Sequence, residues 1–301
     1  MTDDNLWKYT LQAEDNNKKY LDILKRKFHF SNKLLQSLKQ GEKVWVNGQF
    51  TYLTSRGQSG DILSINLHPP ELTNLEAHAL PLEVIYEDNY LLAVNKPAGQ
   101  VVHPNPSYPE KTLGNAVAHY WQTRGEAHIF RPIHRIDRNT SGVIIIAKNK
   151  YCHQQLARQL EKGLIKKYYL GFSSGLMTET SGELNGAIGL APGSFIKRQV
   201  QADGLPALTR FRVLRQYHQA ALVEFVLSSG RTHQIRVHCQ NFGHPLLGDD
   251  LYGGDTSLIN RQALHSCRYE LKHPLTGRQL KLQARLPRDL IALGKILLAY
   301  S

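Results

Sequence analysis

One carboxylate stands in a strongly basic stretch of the chain. Residues 131–148 read RPIHRIDRNTSGVIIIAK, so Asp137 lies among three arginines and His134, just before an apolar strand. Cationic neighbours favour the ionised form of a carboxyl group. An ionised carboxylate beside a hydrophobic core can act as a nucleophile or as a base. The alternative is a turn residue that makes only a local hydrogen bond.

A second stretch, residues 228–254, offers a cation that could match this carboxylate. Ile235 and Cys239 are four residues apart and Gly243 supplies a stop, which predicts a helix over residues 232–242. Arg236 then lies on the opposite, polar face of that helix. There it can pair with a carboxylate or simply face solvent, and the pattern alone leaves both interpretations open.

Other chemistries fit the chain poorly. His233 and His238 are five residues apart, about 140° around a helix, so they cannot easily share one metal ion. No serine stands in the strand-to-helix elbow that hydrolases use, and no GxxxxGK phosphate loop is present. We therefore predict neither a metal site nor a cofactor.

The composition indicates a polyanionic partner. Of 301 residues, 37 are Lys or Arg and 25 are Asp or Glu, a formal charge of +12. Nucleic acid is the first candidate partner and a membrane surface the second. No apolar run is long enough to span a membrane, and the start MTDDNLWKYT is unlike a secretion signal. We predict a cytoplasmic protein whose three cysteines are reduced.

The first 70 residues predict a small module whose core covers residues 19–67. Two short amphipathic helices, the second capped by Ser31 and stopped by Gly41, precede a hairpin around Asn47 and Gly48. Eight of the ten basic residues before residue 71 fall between Lys18 and Lys43, against two acids. The patch predicts RNA contacts, with Lys33 and Lys39 among them, although a solvated helix face is the alternative.

A proline-containing linker is predicted over residues 71–83 and a larger domain over residues 84–301. Strand, helix and strand follow each other from residue 143, and two further strands are predicted in LTRFRVLRQY and QAALVEFVLSS. Many strands with few helices predict an α+β fold, a mixed and mostly antiparallel sheet with helices packed on it.

Several ordered motifs resemble those of the RluA family of pseudouridine synthases. HRIDRNTSG is similar to that family's catalytic motif, KYYLG to its second and GRTHQIRVH with GHPLLGD to its third, while VNKPAG and LHSCRYELKHP also match. The resemblance covers residues 80–290. The segment 19–67 resembles an RNA-binding module first seen in a small-subunit ribosomal protein.

The resemblance implies a role for each matched residue. Asp137 is the catalytic carboxylate, Arg236 its ion-pair partner and Tyr169 the ring that stacks on the target uracil. Arg135 occupies the space that the extruded base leaves. The remaining basic residues would contact phosphates; they include Arg131, Arg138 and Arg231. His134, Asp249 and Tyr252 are interpreted as structural residues.

The predicted activity is isomerisation of specific uridines, most simply in large-subunit ribosomal RNA, by a monomer without a cofactor. The accessory module favours ribosomal RNA by analogy alone. A transfer RNA synthase of the same family is the first alternative. A catalytically silent RNA-binding assembly factor is the second.

Overall fold

The computed structural model describes residues 6–40, 43–68, 73 and 75–300. Within these residues the helices are α1 (Tyr20–Arg26), α2 (Asn32–Lys39), α3 (Leu113–Thr123), α4 (Lys150–Glu161), α5 (Gln234–Asn241) and α6 (Arg288–Ala299). The strands are β1 (Leu6–Thr10), β2 (Val44–Val46), β3 (Gln49–Phe50), β4 (Ile62–Asn66), β5 (Glu83–Glu87), β6 (Leu91–Lys96), β7 (Ser141–Ala147), β8 (Lys166–Ser174), β9 (Ser181–Asn185), β10 (Ile188–Leu190), β11 (Arg198–Val200), β12 (Leu208–Gln216), β13 (Ala220–Leu227), β14 (Leu264–Lys272) and β15 (Gln279–Gln283).

The amino-terminal module contains a four-stranded sheet in the order β1-β4-β2-β3. The Ser31 hydroxyl accepts a hydrogen bond from the Leu34 amide and so caps α2. Asn47 and Gly48 form the turn between β2 and β3 with φ of 51° and 82°, as a tight hairpin requires. The predicted stop at Gly41 lies outside the described residues, and α2 ends at Lys39.

Strand β1 was not predicted, because its residues carry no clear alternation of apolar and polar types. It forms through antiparallel pairing with β4, in which Leu6 lies opposite Asn66 and Thr10 opposite Ile62. This strand therefore depends on a partner more than 50 residues away in the chain, which a local pattern cannot reveal.

The larger sheet has nine strands, in the order β5-β6-β7-β14-β8-β13-β12-β9, with β15 paired to β14. The β7–β14 pair is parallel and the other pairs are antiparallel. Helices pack on this sheet, so the predicted α+β class with a mixed, mostly antiparallel sheet is confirmed.

Strand β7 lies at the centre of the core, and all seven of its residues are buried. Val143, Ile145 and Ala147 belong to the apolar cluster that also contains α4 and the amino-terminal module. Ile144 and Ile146 belong to the cluster on the other face, together with α3, α5 and Tyr169. The alternation of strand side chains thus places Tyr169 and α5 on the same side of the sheet.

Part of the predicted linker 71–83 lies outside the described residues, namely 71, 72 and 74. Its later part contacts α3: the Asn115 side chain donates to the Glu76 carbonyl at 2.8 Å, and the His78 amide donates to the Asn115 carbonyl at 3.1 Å. The division into a module, a linker and a larger domain stays a prediction.

Candidate active site

The loop that carries Asp137 is fixed by the backbone of its neighbours. The Thr140 amide donates to the Asp137 carbonyl at 3.1 Å, which closes a turn immediately before β7. The fully buried Lys96 donates to the carbonyls of Arg138, Pro97 and Gln100 at 3.0, 2.7 and 2.7 Å. The bond to Arg138 ties the end of β6 to the Asp137 loop, and the other two hold the segment that follows β6. The backbone beneath the Asp137 side chain, which is 25 % exposed, is thereby anchored.

Helix α5 begins two residues later than predicted, at Gln234. His233 precedes it in the left-handed region, with φ of 58°. The buried Gln234 side chain accepts from the Arg231 amide and the Ser229 hydroxyl and donates to the Leu208 carbonyl and the Thr209 hydroxyl. These bonds stabilise the backbone turn that precedes α5. That turn directs the first residues of the helix towards Asp137.

Arg236 is buried, and this corrects the expectation that it lies on a polar helix face. Its Nε and Nη2 donate to both oxygens of Asp249 at 2.7 and 2.8 Å, and its Nη1 donates to Asp137 Oδ2 at 3.0 Å. Burial opposes the charge, but the ion pairs with Asp249 and Asp137 raise the pKa of Arg236 above its ordinary value. The guanidinium is thus held in the charged form between two carboxylates.

Asp249 and Tyr252, interpreted from the sequence as turn and packing residues, belong to this same cluster. Asp249 is fully buried and neutralises Arg236. The Tyr252 ring lies 4.9 Å below the Arg236 guanidinium, and its hydroxyl lies 2.8 Å from His233 Nδ1. The signal that could have identified Asp249 is physical: a buried arginine requires a carboxylate to balance its charge.

His233 also faces the candidate catalytic carboxylate, at 3.7 Å from its Nε2 to Asp137 Oδ2. Burial lowers the pKa of His233, with the nearby Arg236 and Arg198 acting in the same direction and the carboxylate of Asp137 against them. A neutral imidazole therefore borders the carboxylate on one side while Arg236 borders it on another.

Tyr169 lies across the same pocket, on β8, and its hydroxyl is 3.2 Å from the hydroxyl of Tyr269. Tyr269 in turn lies 3.1 Å from His134 Nδ1, and the two rings stack at 4.4 Å. The Ile145 amide donates to His134 Nε2, so Nδ1 carries the proton and donates to Tyr269. Tyr269 then donates to the Tyr169 oxygen, so the hydroxyl proton of Tyr169 is not used in this hydrogen bond. His134 has a structural place in this chain, in keeping with its predicted role.

The pocket that these groups surround is open to solvent. Its walls combine charged, aromatic and apolar side chains: Arg135, Ile136, Asp137, Thr140, Tyr169, Leu227, Arg231, His233, Gln234, Ile235, Arg236 and Leu264. Burial raises the pKa of the Tyr169 hydroxyl, so the phenol is neutral at physiological pH.

Five of the sequence-predicted residues meet at this pocket: Asp137, Tyr169, Arg236, Arg135 and Arg231. Arg138 turns away and places its guanidinium 5.0 Å from the ring of Tyr108. Arg131 lies beside the far end of β7, where its carbonyl accepts from the Ala147 amide.

Lys33 and Lys39 are exposed on α2, in the amino-terminal module. None of the predicted roles is tested by these positions, and all of them stay predictions.

Among the described residues, no helix is both long enough and apolar enough to cross a membrane. The same part of the chain contains no group of three His, Cys, Asp or Glu side chains arranged to hold a metal ion.

Comparisons with known proteins agree on one family. Residues 90–241 match the family model described as RNA pseudouridylate synthase. The chain is 36% identical to the uncharacterised RNA pseudouridine synthase YhcT of Bacillus subtilis, over 89% of each chain. It is 32% identical to the ribosomal large subunit pseudouridine synthase D of Vibrio parahaemolyticus, over 89% of this chain and 87% of that protein.

A solved structure resembles the fold as well. The human RNA pseudouridylate synthase domain containing 1 superposes with a TM-score of 0.60 at 24% identity, over 72% of this chain and 89% of that one. This likeness supports the same architecture for the catalytic sheet.

Proposed function

The chain belongs to the RNA pseudouridylate synthase family, and on that premise we propose that it isomerises specific uridines of large-subunit ribosomal RNA to pseudouridine. The family resemblance read from the motifs is thereby confirmed, and the chain is an isomerase acting on RNA. Large-subunit ribosomal RNA is proposed because several relatives at 32–37% identity carry that substrate in their names. We further propose a cytoplasmic enzyme that acts as a monomer.

The reaction exchanges one bond for another without any net change of oxidation state. The bond from uracil N1 to ribose C1′ breaks, the base turns, and C5 bonds to C1′. The hydrogen on C5 leaves as a proton, and N1 gains a proton. The chemistry therefore requires a carboxylate that acts on the sugar or the ring, and a route for one proton.

Asp137 is proposed as that carboxylate, acting as nucleophile, and Arg236 as the residue that holds it. The observation that carries the proposal is the 3.0 Å contact between Arg236 Nη1 and Asp137 Oδ2 inside a pocket that Tyr169 also lines. Arg236 donates to Asp249 through Nε and Nη2. These two bonds fix the plane of the guanidinium and therefore the direction in which Nη1 points. This arrangement leaves Asp137 Oδ1 without a contact from Arg236, so it is the oxygen proposed to face the substrate.

Tyr169 is proposed to stack on the extruded uracil and to take part in the proton transfer at C5. An aromatic ring that stacks on a base contributes about 1 to 3 kcal/mol. Its hydroxyl accepts a hydrogen bond from Tyr269, which would stabilise a phenolate more than a phenol.

The basic residues are proposed to position the RNA. Extrusion of a uridine from a stack costs a few kcal/mol, and the exposed Arg135 at the pocket rim is suited to fill the vacated space. Arg231 at the rim, and Arg131, Arg138, Lys33 and Lys39 farther away, are proposed to contact phosphates and to make binding depend on salt.

The test compares pseudouridine maps of ribosomal and transfer RNA from cells that lack the gene and carry either the wild-type protein or Asp137→Asn. We expect one or more uridines of large-subunit ribosomal RNA to be modified only with the wild-type protein. Asp203→Asn, at an exposed aspartate outside the pocket, is the matched control and should restore modification fully.

Two results would contradict the proposal. If pseudouridines differed between the strains only in transfer RNA, the enzyme would be a transfer RNA synthase. Full modification with Asp137→Asn would remove the aspartate from the mechanism, provided that the variant has the wild-type melting temperature.

A further inference from the structure

The imidazole of His233 lies at the pocket wall with one nitrogen bonded and the other unpaired. Its Nδ1 lies 2.8 Å from the Tyr252 hydroxyl. Its Nε2 has no hydrogen-bond partner among the described residues, and Asp137 Oδ2 lies 3.7 Å from it, just beyond hydrogen-bond distance. In a neutral imidazole only one nitrogen carries a proton, so the chemistry open to this ring depends on which one it is.

The Tyr252 hydroxyl determines where that proton lies. Tyr252 is buried, and its hydroxyl oxygen accepts a hydrogen bond from the Arg198 amide at 2.9 Å. The hydroxyl proton needs an acceptor of its own, and within the described part of the chain His233 Nδ1 is the only one at hydrogen-bond distance. Nδ1 therefore accepts, and the proton of the neutral ring lies on Nε2, the nitrogen that faces Asp137.

The charged groups around the ring keep it neutral. Burial lowers the pKa of His233, and the guanidinium groups of Arg236 and Arg198 lower it further, against the carboxylates of Asp137 and Asp249. A neutral donor suits a position beside a nucleophile, because another positive charge would make the carboxylate less basic. The Nε2 proton can thus orient Asp137 without adding to the charge of the pocket.

The backbone of His233 has an unusual conformation. Its φ of 58° lies in the left-handed region, which residues other than glycine seldom adopt. The next residue, Gln234, is held by the Arg231 amide, which donates to its side chain at 3.0 Å. A non-glycine side chain in such a conformation at a pocket wall points to a functional role, since strained residues cluster at functional sites.

We propose that His233 is a positioning residue of the reaction: in the RNA complex its Nε2 donates to Asp137 Oδ2 and, together with Arg236, fixes the orientation of the carboxylate. One hydrogen bond to Oδ2 lets the carboxylate rotate about Cβ–Cγ, whereas two donors from different directions do not. Such hydrogen bonds are often long in the unliganded enzyme and shorten when substrate binds. The inference rests on the proposed function, since it concerns the proposed nucleophile.

Two substitutions at residue 233 separate the two nitrogens. His233→Asn keeps an amide oxygen near the position of Nδ1, for the Tyr252 hydroxyl, and tolerates the left-handed backbone, but its side chain is too short to reach Asp137. His233→Gln places an amide N–H near the position of Nε2. A purely structural role, in which His233 only accepts from Tyr252, requires Nδ1 alone and is retained in His233→Asn.

Steady-state kinetics on large-subunit ribosomal RNA from a strain lacking the gene give the first readout. We expect kcat to fall about tenfold or more in His233→Asn, because a hydrogen bond to a charged group is lost. In His233→Gln, kcat should stay within about threefold of the wild type, because the donor is restored. KM for RNA should change little in both variants, and denaturant unfolding shows that the compared variants are folded.

Nitrogen-15 NMR of the wild-type imidazoles gives a second readout that does not depend on activity. The chain has 14 histidines, and the signal that is missing from the spectrum of His233→Asn identifies residue 233. At neutral pH this ring should be neutral, with a proton on Nε2 and none on Nδ1.

His238→Gln is the matched control, because it changes another buried histidine of α5. His238 Nδ1 lies 2.9 Å from the Thr209 hydroxyl, and its Nε2 lies 3.0 Å from the Gly186 carbonyl. Loss of these contacts should lower the free energy of unfolding and leave kcat near the wild-type value.

Three results would overturn the proposal: a wild-type kcat in His233→Asn, an equal loss of kcat in folded His233→Asn and His233→Gln, or a proton on Nδ1 in the wild-type spectrum. Any of these with an active wild type defeats only this inference. A wild-type protein that forms no pseudouridine defeats the proposed function instead.

Discussion

At the scale of single residues, the candidate site depends on how one guanidinium divides its donors. Arg236 gives two donors to the buried Asp249 and one to Asp137, so Asp249 fixes the direction from which Asp137 is held. A lysine, with its compact ammonium, could not reproduce this planar fork. Given the proposed role of Asp137, we expect Asp249 to act as a positioning residue, although it is not among the residues that line the open pocket.

Asp249→Asn should lower both stability and turnover. Loss of one partner of a buried ion pair costs about 3 to 5 kcal/mol, because the other charge stays buried. We expect kcat for pseudouridine formation to fall while KM for RNA changes little, since Arg236 no longer has a fixed direction. Steady-state kinetics and denaturant unfolding measure the two effects.

Asp289→Asn is the control for that experiment. It breaks a similar two-point ion pair with Arg261, at 2.6 and 3.0 Å, outside the pocket. It should destabilise less, because Asp289 is 45 % exposed, and it should leave kcat unchanged. Equal kcat values for Asp249→Asn and the wild type would contradict the positioning role.

Tyr269→Phe should reduce kcat by about 3- to 30-fold, because it removes one hydrogen bond of about 1 to 2 kcal/mol to the Tyr169 hydroxyl. Without that donor, the Tyr169 phenolate is less stable and the pKa of the Tyr169 phenol rises. The inflection that this phenol gives to the alkaline part of the pH–rate profile should therefore move to higher pH. KM should stay near the wild-type value, because the stacking ring is retained.

Tyr168→Phe removes a hydroxyl from the neighbouring residue of the same strand, where it bonds to Glu270 at 3.3 Å. That variant should keep the wild-type profile. If Tyr269→Phe also kept it, the hydrogen-bond chain from His134 through Tyr269 would have no part in the proton transfer.

At the scale of elements, the pocket depends on the parallel contact between β7 and β14. Gly142 of β7 lies opposite Ser266 of β14, with φ of +123°. A Cβ on Gly142 would lie 2.2 Å from the Ser266 carbonyl oxygen. The strand that follows the Asp137 loop can thus approach the strand beside Tyr169 only because this residue has no side chain.

Gly142→Ala should destabilise the protein by about 3 kcal/mol or more, since steric overlap and backbone strain act together. Gly48→Ala is the matched control: its φ is +82°, but a Cβ would meet nothing within 4 Å. Strain alone should cost that variant about 1 to 2 kcal/mol. Similar unfolding free energies for the two variants would show that the β7–β14 contact relaxes easily.

At the scale of the whole molecule, the amino-terminal module packs against the catalytic sheet through α4. The rings of Phe30 and Tyr151 lie 4.5 Å apart, and Gln154 bonds to the backbone of His29 and Ser31. One apolar cluster extends from the small sheet through α4 to the central strand β7. The exposed Lys33 and Lys39 therefore have a defined position relative to the catalytic sheet.

Acid should destabilise the molecule through two histidines, the half-buried His134 and the buried His265. Burial lowers the pKa of His134 to about 3 and that of His265 to about 4, from an ordinary 6.5. Below about pH 6.5 these histidines become protonated in the unfolded chain but stay neutral in the folded chain. The free energy of unfolding therefore falls as the pH drops from about 6.5 towards the pKa values of the folded state. Each histidine should contribute a slope of about 1.4 kcal/mol per pH unit.

Denaturant unfolding between about pH 7.5 and pH 5 measures this slope. His265→Gln should reduce it, while His218→Gln, at an exposed position, should not. A free energy of unfolding that stays constant across the range would mean that the two imidazoles gain compensating partners when protonated.

Sequence patterns were sufficient to predict the family, the α+β class and the main elements around the site. The order of the motifs can be recognised in the sequence directly. The spacing of apolar residues likewise identifies strands such as β8, β12 and β13 without knowledge of the fold. Asp137 and Arg236 were distinguished by residue type and spacing in their local settings, whereas Tyr169 was identified through the resemblance of KYYLG to the family's second motif.

Which residues meet depends on the tertiary structure. It brought Asp249 under Arg236 and Tyr269 behind Tyr169, and it separated Arg131 from the pocket that Arg135 borders. These partners are 13 and 100 residues apart. A local pattern reports which face of an element is apolar, but a charge or a hydroxyl is satisfied by whichever element packs against it. The buried guanidinium acquired its two carboxylates only when α5, the Asp137 loop and the segment of Asp249 came together.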